Sequence, residues 1–198
     1  MKLTYDLRAL AAEYVAQPDV RRRPDIQSWA VAARYAHKTA TTIRRHLDVV
    51  EVDNGDPYFD HLSQAADVKV NGRFLVSRLN CEHPLFTPSQ NVDLRIAHDV
   101  AGHIRHDLSF RPDDEVELWA RTLTEIPKAA HLAWTNEFLY QTAYVAVTGS
   151  YLQRCVTLGP AARDLYRRAT NRFEHCACAN DPRYGHAAHC DSTEPVRK

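Results

Sequence analysis

The sequence has no net charge, no long apolar run, no repeats and few glycines, and each absence removes a class of protein. Twenty-five basic residues balance 25 acidic ones over 198 positions. The chain as a whole therefore carries no electrostatic footprint for nucleic acid or an anionic membrane. The Arg21-Arg22-Arg23 run is the one basic cluster, and it reads as a solvated loop before a helix. No apolar stretch approaches the roughly 20 residues of a membrane span. The opening MKLTYDLRALAAEY places charges where a signal peptide needs apolar residues, so a cytoplasmic protein is expected. Five cysteines, at 81, 155, 176, 178 and 190, are too few and too odd in number for a disulfide framework. The six glycines form no phosphate-cradling loop, and no nucleophile elbow occurs.

What is present is helical periodicity. Leu7, Leu10, Ala11 and Tyr14 predict a short amphipathic helix over 4–16. Ser28 is placed to N-cap a second helix with the stripe Trp29, Ala33, Ala36, Ala40, Ile43 and Leu47. Further helices are predicted at about 90–107, 113–124, 128–154 and 160–173, with Gly149 marking a break in the longest. VKVNGRFLVS, 68–77, predicts a β-hairpin turning at Asn71-Gly72. The expected fold is mostly α, an α-rich α+β domain over 1–174 with one small hairpin. A Cys/His-rich tail with no apolar periodicity follows at 175–198.

The chemistry is concentrated in RIAHDVAGHIRHD, 95–107. On a helix, Asp99 and His103 share a face, while His98 and His103 stand about 140° apart at 3.6 residues per turn. Both imidazoles can lean toward one ion, and Gly102 removes the side chain one turn above His98. A third ligand is expected from Glu137, a carboxylate in the apolar stretch LAWTNEFLYQTAYVAV, with Gln141 and Tyr144 continuing a polar stripe. Two histidines and one carboxylate with open positions form the facial triad of non-haem Fe(II) oxygenases. Glu117 is a possible second carboxylate, and with Asp99 it would allow a di-iron oxidase. His83 is a loop histidine that could orient a ligand, and Asn91 and Gln141 are candidates to fix ligand orientation. In the tail, Cys176, Cys178, His186, His189 and Cys190 could hold a structural zinc.

The segment His98-Asp99-Val100-Ala101-Gly102-His103 resembles the metal-binding core of the pterin-dependent aromatic amino acid hydroxylases. Trp134-Thr135-Asn136-Glu137-Phe138 and the upstream Phe86-Thr87-Pro88 resemble the same core, over about 70 of 198 residues. The resemblance implies that His98, His103 and Glu137 bind Fe(II), with Asp99 near a pterin. The match departs at Arg105, where that family has a proline, and the sequence shows no pterin pocket. The chain is also similar to a group of small uncharacterised bacterial and phage proteins.

The leading expectation is a non-haem Fe(II) oxygenase acting on a small-molecule substrate. Its ligands are His98, His103 and Glu137, with Asp99, Gln141 and Tyr144 positioning the reactants. A zinc-dependent hydrolase uses the same residues with a bound water as nucleophile. A binding or regulatory module with a zinc-clamped tail is the alternative outside enzymology.

Overall fold

The computed structural model describes residues 3–55 and 57–174, so all five candidate tail ligands lie outside the described residues. The fold is mostly helical with one two-stranded sheet. In chain order, α1 spans Leu7–Ala16, α2 Arg23–Ile43, β1 Asp48–Val52, α3 His61–Ala66, β2 Arg73–Ser77 and α4 Pro88–His98. Then come α5 Pro112–Thr122, α6 His131–Thr135, α7 Gln141–Thr148 and α8 Pro160–Glu174. Among the described residues no helix is long and apolar enough to cross a membrane.

The helix α2 is the organising element. Trp29, Ala32, Ala33, Ala36 and Ala40 are all buried along it, and α4 packs against it. Small alanine side chains let two helices approach closely, which sets the distance from α2 to the histidine segment. Tyr14, Trp29, Trp119, Trp134, Leu139 and Leu165 belong to the main core, each at most 2% exposed. Full burial of a side chain of this kind is worth roughly 1.5–3 kcal/mol or more. A second cluster, Ala40, Phe74, Val76, Cys81, Val92 and Ile96, packs the sheet onto α4 and the end of α2.

Helix ends follow the chemistry of their residues. The Thr87 side chain accepts from Gln90 N while Gln90 reaches back to the Thr87 N–H, and Pro88 occupies the first turn. The Phe-Thr-Pro motif thus starts the helix that carries His98. Ser28 does not cap α2, which begins five residues earlier with a proline in its first turn. Instead the Ser28 hydroxyl lies inside the helix and accepts the Ala133 N–H at 3.1 Å, joining α2 to α6. Gly149, at φ 67°, ends α7 in the left-handed conformation.

The expected hairpin at 68–77 is not formed. Residues Asp67–Asn71 make a wide π-helical turn, Gly72 caps it at φ 64°, and β2 pairs in parallel with β1, from Asp48↔Arg73 to Val52↔Ser77. Asn-Gly suits a left-handed helix cap as well as a type I′ turn. The Asp67 carboxylate tips the balance by accepting from Asn71, Arg73 and Tyr58 together.

Candidate metal centre

A widened helical turn brings His98 and His103 together. After α4 the helix continues as a π-helix over Asp99–Ile104, in which N–H groups bond five residues back. Five residues then span about one turn, so the 140° separation of a regular α-helix closes. The two rings meet edge to face with centroids 4.7 Å apart, and both residues are buried. Asp107 takes a left-handed φ of 54°, which turns the chain back so that Leu108 N–H reaches the His103 carbonyl.

The carboxylate facing them is Glu115, from the first turn of α5. Its Oε2 is 3.4 Å from His98 Nε2 and its Oε1 is 3.1 Å from His103 Nε2. Burial opposes charge on both partners, but the facing opposite charges prevail. His98 is raised to about 9 and Glu115 is lowered to about 2 in the metal-free protein. Even so, neither Nε2 makes a hydrogen bond of acceptable geometry, and both atoms are buried without such a partner.

The opposite edges of the two rings explain where the lone pairs point. His103 Nδ1 is 2.9 Å from the Leu108 carbonyl, and His98 Nδ1 is 3.2 Å from Asp99 Oδ1. Both partners can only accept, so each Nδ1 carries a proton, and when a ring is neutral its lone pair is on Nε2, facing Glu115. A ligating histidine has this arrangement, with its outer N–H held by a carbonyl or carboxylate. One donor atom each from His98, His103 and Glu115 lies within 4.8 Å of the others. Ligands about 2.1 Å from one ion in cis positions stand about 3.0–3.4 Å apart, so the two Glu115 contacts match a bound ion's dimensions.

A second group, His83, Glu137 and Cys155, is equally compact but chemically closed. His83 Nδ1 accepts the backbone N–H groups of Leu85 and Phe86, both at 2.9 Å. Its proton is therefore on Nε2 and is donated to Glu137 Oε1 at 2.9 Å, leaving no lone pair for an ion. Burial pushes the Cys155 thiol well above its ordinary value, with the nearby Glu137 charge adding to the effect.

Glu137 stands beside the centre rather than in it. Its carboxylate accepts from Trp29 Nε1, His83 Nε2, Gln141 Nε2 and Gln153 Nε2, which fixes it in a buried network. It shares with His98, Glu115 and Gln141 the lining of a small cleft of about 290 Å³. Gln141 belongs to this network and also accepts from Tyr151. Tyr144 packs edge-on against Tyr14, in the core rather than at the cleft. Asn91 donates a long hydrogen bond to the Cys81 carbonyl. Asp99 is at the site, its Oδ1 on His98 and its Oδ2 accepting from Gln64 Nε2.

Glu117 turns away from the centre and pairs with Arg121 at 2.8 Å and Arg172 of α8 at 2.7 Å. Burial would raise its pKa, but the two arginines outweigh that and hold it below the ordinary 4.5. A depressed carboxylate stabilises the fold above its unfolded pKa and loses that contribution as pH falls through the folded value. Glu117→Gln should therefore lower stability at neutral pH by about 1–2 kcal/mol, between an exposed and a buried pair. In denaturant titrations, the gap from wild type should close at pH values below 4.5.

Gly102 has a packing reason to be glycine. A Cβ there would lie 3.1 and 3.3 Å from the two terminal methyl carbons of Leu118, one turn beyond Glu115. Gly102→Ala gains about 1 kcal/mol of helix propensity, but overpacking of this kind costs about 1–3 kcal/mol. We expect a net loss of stability by thermal melting, together with weaker metal binding as α5 is pushed from the histidines.

The centre opens on a cleft of about 1180 Å³, large enough for a small-molecule ligand. Gln64, Asp99, Phe59, Phe110, Tyr151 and Gln153 are among its lining residues. Phe110 lies edge-on to His103 with centroids 4.9 Å apart, at the mouth. No family model matches the chain, and comparisons with curated proteins and with solved structures return no match.

Proposed function

We propose that the protein is a non-haem metalloenzyme that holds Fe(II) between His98 Nε2, His103 Nε2 and the Glu115 carboxylate. The observation that carries this reading is the pair of buried Nε2 atoms, neither with a hydrogen bond of acceptable geometry, converging on one carboxylate. Each is fixed in that tautomer by an acceptor on its far side. Two imidazoles and a carboxylate on one face of an iron leave positions for O₂ and a small-molecule substrate.

The chain's own groups define the rest of the chemistry. Asp99 and the Leu108 carbonyl hold the two imidazole rings in register and make them better donors. Phe138 stacks flat on His98, with centroids 4.0 Å apart, and blocks its rotation. Phe110 shields the His103 side from water, while Tyr151 and Gln153 present polar atoms to whatever fills the larger cleft.

Metal analysis of anaerobically purified protein tests the reading. The expected result is one iron per chain, lost in His98→Ala and Glu115→Ala and retained in a variant truncated after residue 174. Stoichiometric zinc lost in the same point variants would favour the hydrolase. Metal lost only on truncation would sink the central site.

A further inference from the structure

An unbroken file of aromatic rings runs from a proposed ligand toward the surface. Phe138 stacks on His98 at 4.0 Å with planes 3° apart. Trp134 follows at 4.5 Å from Phe138, and Tyr35 at 5.8 Å from Trp134. Phe138 and Tyr35 are half-buried, and Trp134 is 2% exposed with its indole N–H donated to Thr122 Oγ1. The file crosses from the π-helical segment Asn136–Tyr140 through α6 to the middle of α2.

Aromatic rings in mutual contact couple electronically far better than saturated packing. Tryptophan and tyrosine lose an electron readily, whereas phenylalanine serves only as a bridge. The order of the rings fits transfer outward from the metal: the phenylalanine abuts the ligand, the indole is buried, and the phenol reaches partial exposure. The phenol releases its proton when oxidised, and Tyr35 joins a readily oxidised ring to partial exposure of the residue.

We propose that Phe138, Trp134 and Tyr35 form a one-electron conduit through which the metal centre, when oxidised without substrate, draws an electron from Tyr35. The inference rests on the iron reading given above. With hydrogen peroxide as oxidant, the O–O bond breaks and two waters form. Peroxide takes one electron from the ferrous ion, which becomes ferric, and one from Tyr35 by way of Trp134. Tyr35 also gives up its phenolic proton, one further proton comes from solvent, and a neutral tyrosyl radical remains. Such a route spares His98 and His103 from oxidation when no substrate is present.

The test adds hydrogen peroxide to Fe(II)-loaded full-length protein, freezes it rapidly and records the electron paramagnetic resonance spectrum. A nitroso spin trap and peptide mass spectrometry then locate the radical. A tyrosyl signal is expected, with the adduct on Tyr35. Trp134→Phe keeps the packing but removes the readily oxidised ring, and it should lose most of the Tyr35 signal without losing iron. Tyr35→Phe should abolish the tyrosyl signal and leave a tryptophanyl one. Tyr151, which lines the cleft, is the internal competitor. An adduct on Tyr151 with none on Tyr35, or a Tyr35 signal unchanged by Trp134→Phe, would overturn the conduit. Iron content is measured on each sample. Stoichiometric iron with no Tyr35 radical refutes the conduit alone, and iron indifferent to His98→Ala and Glu115→Ala refutes the metal reading along with it.

Discussion

Glu115→Ala is expected to weaken Fe(II) binding by well over 100-fold, more than the 10–100-fold typical when an outer partner of a ligand is removed. Anaerobic calorimetric titration of the metal into wild type and variant measures this directly. The physical basis is the placement of both carboxylate oxygens, 3.1 and 3.4 Å from the two Nε2 atoms. Without Glu115 the remaining donors are two imidazoles on one side of the cleft, and the Asp99 carboxylate at the site is held by His98 Nδ1 and Gln64 Nε2. The metal-free fold should tolerate the change. Glu115 is at the rim of the cleft, 15% exposed in its side chain, and water can enter the space it leaves. His98 loses the Glu115 charge, the largest of the effects that raise it, and moves back toward its ordinary range, so its imidazole remains available as a neutral donor. Binding unchanged within a factor of a few would show that Glu115 is not a ligand.

Much of this arrangement was legible in the sequence, and the exceptions have identifiable causes. Helix periodicity located α1, α2, α4, α5, α8 and the stretch holding α6 and α7. It missed β1 and α3, and it carried the expected 128–154 helix past Thr148, where α7 ends. The cluster 95–107 does place two histidines side by side. What 3.6-residue reasoning could not supply was the π-helical turn over Asp99–Ile104, because a widened turn changes the angular step without any marker residue. That Glu115 is the carboxylate facing the two histidines was not legible for a different reason. Glu137 attracts attention by its apolar neighbours, yet a buried carboxylate needs donors, and Trp29, His83, Gln141 and Gln153 supply them from distant parts of the chain. In α5 the signal for Glu115 was present. It shares a stripe with the buried Leu118, Trp119 and Thr122, three, four and seven residues on, whereas Glu117 shares its face with Arg121. Applying the stripe to the acidic residues would have selected Glu115 over Glu117. The hairpin error at 68–77 has no comparable remedy, since Asn-Gly fits both a turn and a helix cap.

Glu137→Ala should produce the largest loss of stability of any substitution considered, about 3–5 kcal/mol, as for removal of one member of a buried charged network. Four donors point at its two oxygens. Without them the Trp29 indole N–H and the His83 Nε2–H are left buried with no acceptor, and each such orphan costs about 1–3 kcal/mol. Glu137→Gln should be milder, because its carbonyl can keep Trp29 and His83 while its amide faces Gln141 and Gln153. Those two glutamines can turn their amides to present oxygen, although this disturbs the Tyr151 contacts. Equilibrium denaturation of the metal-free proteins gives the stabilities, and the same anaerobic titration gives the affinities. Glu137→Ala should weaken iron binding only through Phe138 and Gln153, within the 10–100-fold range of an outer partner. The two carboxylates thus rank in opposite orders: Glu137 first for stability and Glu115 first for affinity. If Glu137→Ala instead removed iron completely while costing little stability, the ion would belong at Glu137. The network drawn around it would then describe the metal-free state alone.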